Sequence, residues 1–184
     1  MTIGNPGQPQ GSQAPRSIVL AGFMGTGKSA VGRCLAARQG WPLLDTDALI
    51  EAQAGCTIRD IFATRGESVF RAMETECLRH LLARGTVAVI STGGGMVLRE
   101  ENRRLLRQLG TCYVLHAPVE ELLRRLAPER YQRPLLSGDD APARVRHLLL
   151  ERAEAYAAAG TPVDTMNQTP EEVASMILRL HLAG

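Results

Sequence analysis

Residues 22–29, Gly22-Phe23-Met24-Gly25-Thr26-Gly27-Lys28-Ser29, restrict this chain more than any other stretch. They have the form G-x-x-x-x-G-K-S, follow a short apolar run at 17–21 and precede a helical pattern at 30–38. Strand, glycine-rich turn and helix in that order spell a P-loop. Its backbone N–H groups form an anion cradle at a helix N-terminus. Lys28 is placed to reach the outer phosphates of a polyphosphate, and Ser29 to offer its hydroxyl to magnesium. An ordinary glycine-rich β–α turn would not require strand, full motif and helix together.

The rest of the chain alternates. Further strands are expected at 41–44, 87–91, 111–116 and 161–166. Helices are expected at 48–54, 57–64, 67–83 and 99–108, from Pro118 to about residue 126, at 143–159 and at 170–180, with Thr169 as the last N-cap. Most strands are unbroken apolar runs, which marks a parallel sheet covered on both faces. The fold class is therefore α/β: three layers around five parallel strands. Ligands in such sheets bind beyond the carboxyl ends of the strands. Asp45-Thr46-Asp47 and Gly93-Gly94-Gly95 should thus share one rim with the P-loop. Between 127 and 142 the pattern fails, and Pro128, Arg130, Arg133, Pro134, Gly138 and Pro142 fall in a stretch with the length of a lid.

A length of 184 residues suggests one domain, taken as 17–184, with residues 1–16 reading as a disordered tail. That tail has no apolar run of signal-peptide type. The net charge of +2 gives no reason to expect nucleic acid or an acidic membrane as partner. No run approaches the length of a membrane-spanning helix. Four cysteines and four histidines are scattered without metal-ligand spacing. The expectation is a cytoplasmic monomer whose partners are small molecules.

The acceptor side of the site is carried by three clusters. Asp45 and Asp47 flank a threonine at the end of a buried strand; one suits magnesium, the other a hydroxyl of the acceptor. Both also suit a helix N-cap, a role that for Asp47 is compatible with function. Arg71 and Glu74 lie three apart on one helix face. They make either a surface ion pair of little worth or an arginine oriented toward a carboxylate. The triple glycine offers backbone N–H groups with no side chain in the way, or is simply a flexible loop.

Taken together, these residues resemble the shikimate kinase family. The resemblance rests on residues 22–29, on Asp45-Thr46-Asp47, and on Ile50-Glu51, Gly55, Ile58, Ile61-Phe62 and Gly66-Glu67. It continues through Phe70-Arg71, Glu74, Gly93-Gly94-Gly95, Arg133-Pro134-Leu135-Leu136, Arg152 and Tyr156. It implies a nucleoside-monophosphate-kinase-like P-loop fold with strand order 2-3-1-4-5 and a lid at about 127–142. It implies transfer of the γ-phosphoryl group of ATP to the 3-hydroxyl of shikimate, on the route to chorismate and aromatic amino acids. Asp47 would hold ring hydroxyls and act as base, with Lys28 and Arg133 neutralising charge on the transferring phosphate. Gly25, Thr26, Gly27, Lys28, Ser29, Ala30, Arg125 and Arg133 would bind ATP. Arg71 and Arg152 would clamp the carboxylate, and Gly94 and Gly95 would give backbone contacts. Ser29 and Asp45 would serve Mg2+.

The interval from Arg125 to Arg133 is one residue longer than the family's usual spacing, so Arg124 and Arg130 compete with Arg125 for the adenine contact. Two rivals remain: another small-molecule kinase of the same fold, such as a gluconate kinase, and a non-catalytic nucleotide-binding module. Arg133→Ala should lower turnover in an ATP-coupled assay. Wild-type turnover in that variant would remove the lid arginine from the mechanism.

Overall fold

The computed structural model describes residues 16–128 and 140–183. The expected tail, apart from Arg16, and most of the expected lid, including Arg130 and Arg133, lie outside the described residues. Five strands, β1 (Ser17–Gly22), β2 (Leu43–Asp45), β3 (Val89–Ser91), β4 (Gly110–His116) and β5 (Thr161–Asp164), form one parallel sheet. Its order is β2-β3-β1-β4-β5, the expected topology. The register pairs Leu20 with Ser91 and Asp45 with Ser91, so the ends of β1, β2 and β3 reach the same rim.

Alternation along β1 divides the core. Ile18 and Leu20 join Val89, Tyr113 and Leu115 on one face, under α1 (Lys28–Gln39) and α7 (Pro170–Ala183). Val19 and Ala21 join Ile90 and Val114 on the other. There they meet Phe70, Cys77, Leu78 and Leu81 of α3 (Ile58–Arg84) and Leu106 of α4 (Glu100–Leu109). This two-sided burial explains why the strands are continuously apolar.

Several boundaries differ from expectation for identifiable reasons. The second helix, α2 (Thr46–Ala54), begins two residues early because Asp45 caps it, its Oδ1 accepting from the N–H groups of Asp47 and Ala48 at 3.0 and 3.4 Å. The cap role therefore belongs to Asp45 and not to Asp47. Helix α6 (Ala141–Ala157) also starts early: Pro142 sits in its first turn, where a missing N–H costs nothing. Thr169 does cap α7, its Oγ1 accepting from Glu172 N–H at 3.2 Å while Glu172 accepts from Thr169 N–H. The two helices expected on either side of Gly66 are present as the two segments of α3, which meet at a non-helical kink at Gly66, φ 80°, ψ 168°. Helix α5 (Val119–Leu126) completes the set. A short 3-10 turn, Met96–Leu98, follows the triple glycine and was not anticipated.

One buried polar strut fastens this turn. Asn102 of α4, fully buried, donates from Nδ2 to the Met96 carbonyl at 3.0 Å and accepts from Thr75 of α3 at 2.8 Å. Asn102→Leu, close in volume, leaves both partners without it and should cost about 1–3 kcal/mol of stability in urea unfolding. A loss near zero would show that the strut contributes nothing.

Candidate active site

The three predicted clusters converge on one cleft of about 890 Å3 at the carboxyl end of the sheet. Gly25, Gly27, Lys28, Ser29, Ala30, Asp45, Asp47, Arg71, Gly94, Gly95, Arg125 and Arg152 all line it. Thr26 does not: its hydroxyl donates to Phe23 O at 2.7 Å and braces the loop from within.

On one side of the cleft, Gly27 at φ 92° caps α1 without a side chain. The Ser29 and Ala30 N–H groups in the first turn therefore have no carbonyl four residues back within the helix, and they face an anion site. Lys28 Nζ lies on the carbonyls of Gly22 and Phe23 at 2.7 and 3.0 Å. Arg125 is held by the Glu121 carboxylate at 2.7 Å, by Thr165 O at 2.7 Å and by Thr165 Oγ1 at 3.0 Å. Its neighbour Arg124 is 73% exposed, pairs with Glu121 and does not line the cleft. Of these two arginines, only Arg125 is at the site.

On the other side, two charged side chains lie directly against glycine backbone. A Cβ on Gly93 would overlap Asp47 Oδ1, and one on Gly95 would overlap the Arg71 guanidinium. Arg71 is fixed by Glu67 and Glu74, each at 2.9 Å, and lies 5.4 Å from the Phe70 ring centroid. Glu74 is 1% exposed, so the pair is not the exposed, low-value bridge that spacing alone allows. Ile58, Phe62 and Phe70 add an apolar wall, with the two phenyl rings 4.9 Å apart.

Two buried carboxylate oxygens, Asp47 Oδ1 and Glu74 Oε1, have no hydrogen-bond donor among the described residues. Burial raises both carboxyls above the ordinary range, and Asp45 pushes Asp47 further up, against the pull of Lys28 and Arg71. Asp47 therefore presents a buried acceptor oxygen whose basicity is increased and which no donor among the described residues reaches.

Sequence reasoning missed Asn102 and the 3-10 turn it holds. A signal existed: Asn102 stands on the apolar stripe of α4 with Leu105, Leu106 and Leu109. A polar residue there needs a buried partner.

A parallel sheet of this order with a polyphosphate cradle facing a charged acceptor wall defines a P-loop kinase. The sequence matches the family model for shikimate kinase over residues 24–181. It is 47% identical over 162 residues to a shikimate kinase of Geobacter metallireducens, covering 88% of this chain and 89% of the relative. It is 48% identical over 155 residues to a shikimate kinase of Nitratidesulfovibrio vulgaris, covering 83% and 87%. Among solved structures it is similar to shikimate kinase from Acinetobacter baumannii in complex with shikimate, with TM-score 0.84 and 37% identity over 91% of this chain and 93% of that one. The chain belongs to the shikimate kinase family.

Because Asp47 is raised in the native state, its ionisation costs stability. The penalty is absent below the ordinary value of 3.8, grows as pH rises toward the native value, and is complete above it. Asp47→Asn should thus raise thermal stability at pH 7, with the gain gone below about pH 4, while turnover falls about 100-fold or more. Turnover near wild type would remove Asp47 from the chemistry.

Proposed function

We propose that this protein phosphorylates the 3-hydroxyl of shikimate with ATP, giving shikimate 3-phosphate for chorismate and aromatic amino acid synthesis. The observation that carries the reading is Asp47 Oδ1, a buried acceptor without a donor among the described residues, set against the glycine loop beside an arginine held by two carboxylates. A ring hydroxyl satisfies the first and a carboxylate the second.

Each residue then has a task. Asp47 accepts a hydrogen bond from the acceptor hydroxyl and takes its proton as the oxygen attacks the γ-phosphorus, while the bond from that phosphorus to the β–γ bridging oxygen breaks and ADP leaves. Arg71 and Arg152 clamp the shikimate carboxylate. The N–H groups of Gly94 and Gly95 orient the ring. Ile58, Phe62 and Phe70 cover its carbon face and exclude water. The Ser29 and Ala30 N–H groups and Lys28 cradle the phosphates, with Lys28 giving up its carbonyl partners to do so. Arg125 packs against adenine, and Arg133 completes the charge clamp.

Magnesium fits this donor set. No cluster of three or more His, Cys, Asp or Glu side chains able to hold a metal ion is present among the described residues. One hydroxyl and one carboxylate, Ser29 and Asp45, line the cleft instead, which suits an ion shared with substrate phosphates and water. When bound, the ion offsets charge on the phosphate oxygens. Asp45 spends Oδ1 on its cap bonds, so a contact to the ion would come from its other oxygen or through water.

One chain supplies every residue invoked, in keeping with a monomer. Free thiols at Cys34, Cys56, Cys77 and Cys112 suit the cytoplasm. No helix of the described residues is long and apolar enough to cross a membrane. A solved gluconokinase from Sinorhizobium meliloti shares the fold at 20% identity and TM-score 0.52, which speaks for architecture alone.

A coupled assay with ATP, magnesium and shikimate tests the reading. Phosphorylation of gluconate or a nucleotide with shikimate inert would overturn it. Arg71→Ala should raise KM for shikimate about tenfold or more and leave KM for ATP unchanged. A change confined to ATP would show that Arg71 faces the donor.

A further inference from the structure

Tyr156 lies one helical turn after Arg152 on α6, so the two side chains leave the same face. Arg152 turns to the cleft, its guanidinium 5.8 Å from the Phe23 ring centroid. The Tyr156 phenol donates to the Gly94 carbonyl at 2.7 Å, and its oxygen also interacts with the Arg152 guanidinium. Its ring packs at the seam between the main core and the smaller cluster of Phe23, Leu122, Leu126 and Val145. Burial raises the phenol's pKa against the opposing pull of Arg152, so the hydroxyl stays a donor at neutral pH.

The geometry of the glycine loop gives this bond its meaning. Gly93 is fixed by its N–H on Thr46 Oγ1 at 3.1 Å, and Met96 by Asn102 at 3.0 Å. Between them, the peptide joining Gly94 to Gly95 is reached by one hydrogen bond among the described residues, that from Tyr156. Neither the Gly94 nor the Gly95 N–H donates to a protein group there, and both glycines line the cleft. A trans peptide is planar, so its C=O and N–H point in opposite directions. Holding the Gly94 carbonyl therefore sets the direction of the Gly95 N–H, in a segment whose residues have the widest conformational freedom.

We propose that Tyr156 is a positioning residue for the acceptor: it aims the Gly95 N–H and ties the helix bearing Arg152 to the acceptor loop. This rests on shikimate being the acceptor. Binding the carboxylate at Arg152 and binding the ring at the glycine loop then use one rigid unit, because a single hydroxyl fastens the two together. Donor phosphates are bound by the P-loop, which this bond does not touch.

Tyr156→Phe keeps the ring and deletes the hydroxyl, and with it both the bond to Gly94 and the contact to Arg152. KM for shikimate should rise about 3- to 10-fold, with KM for ATP within about twofold of wild type. Shikimate binding without ATP, measured by calorimetry, should weaken by the same factor. The shikimate-induced rise in melting temperature should shrink in parallel. A merely structural role would lower the melting temperature and leave the ratio of the two KM values unmoved. Unchanged shikimate binding, or equal changes in both KM values, overturns the proposal. If wild-type protein does not phosphorylate shikimate, the proposed function fails; if it does and Tyr156→Phe is indistinguishable from it, this inference fails.

Discussion

The acceptor half of the cleft depends on two side chains lying directly against bare backbone. Asp47 occupies the space that a Cβ on residue 93 would need, and Arg71 the space of one on residue 95. No other residue type fits either position without moving the charged group that the site is built around. Those charged groups are in turn held from behind. Asp45 caps the helix on which Asp47 rides, and Glu67 and Glu74 grip Arg71. The glycine loop is therefore less a flexible linker than a mould, and its freedom is used up by its neighbours.

This arrangement keeps unfavourable electrostatics in place. Asp47, half-buried at the cleft, and Glu74, buried, are carboxylates each with an oxygen that no donor among the described residues reaches. Such groups destabilise the fold by themselves. They persist because the surrounding core, with Ile50, Ile61, Phe70, Leu78 and Ile90, holds the elements rigidly enough to prevent relaxation. The penalty is the counterpart of basicity and of an unsatisfied acceptor, both of which a substrate hydroxyl can use.

Much of this was legible in the chain. Phosphate binding depends on backbone geometry at fixed spacing, so residues 22–29 announce it by themselves. The rim was legible because strand ends and the parallel topology follow from apolar runs. What was not legible is of two kinds. Some choices are local but undecided by residue type, such as Thr26 turning inward to Phe23 O, or Asp45 rather than Asp47 closing the helix end. Others depend on partners distant in sequence. That Arg125 and not Arg124 lines the cleft depends on Thr165, from beyond β5, which holds Arg125. Asn102 left a trace as a polar residue on an apolar stripe, but its two partners lie on different elements.

The break at Gly66 has a consequence for how recognition is divided. Adding a Cβ there meets no atom within 4 Å, so the constraint is conformational only: φ 80° with ψ 168° is strained for any L side chain. The outer segment carries Ile58 and Phe62, which line the cleft with apolar surface. The inner segment carries Arg71 and is sunk into the core through Cys77, Leu78 and Leu81. Shape selection and charge selection thus reside on two levers that share one pivot. Sequence drift can reshape the first without disturbing the second, so related kinases can change the body of the molecule they accept while keeping the handle by which they hold it.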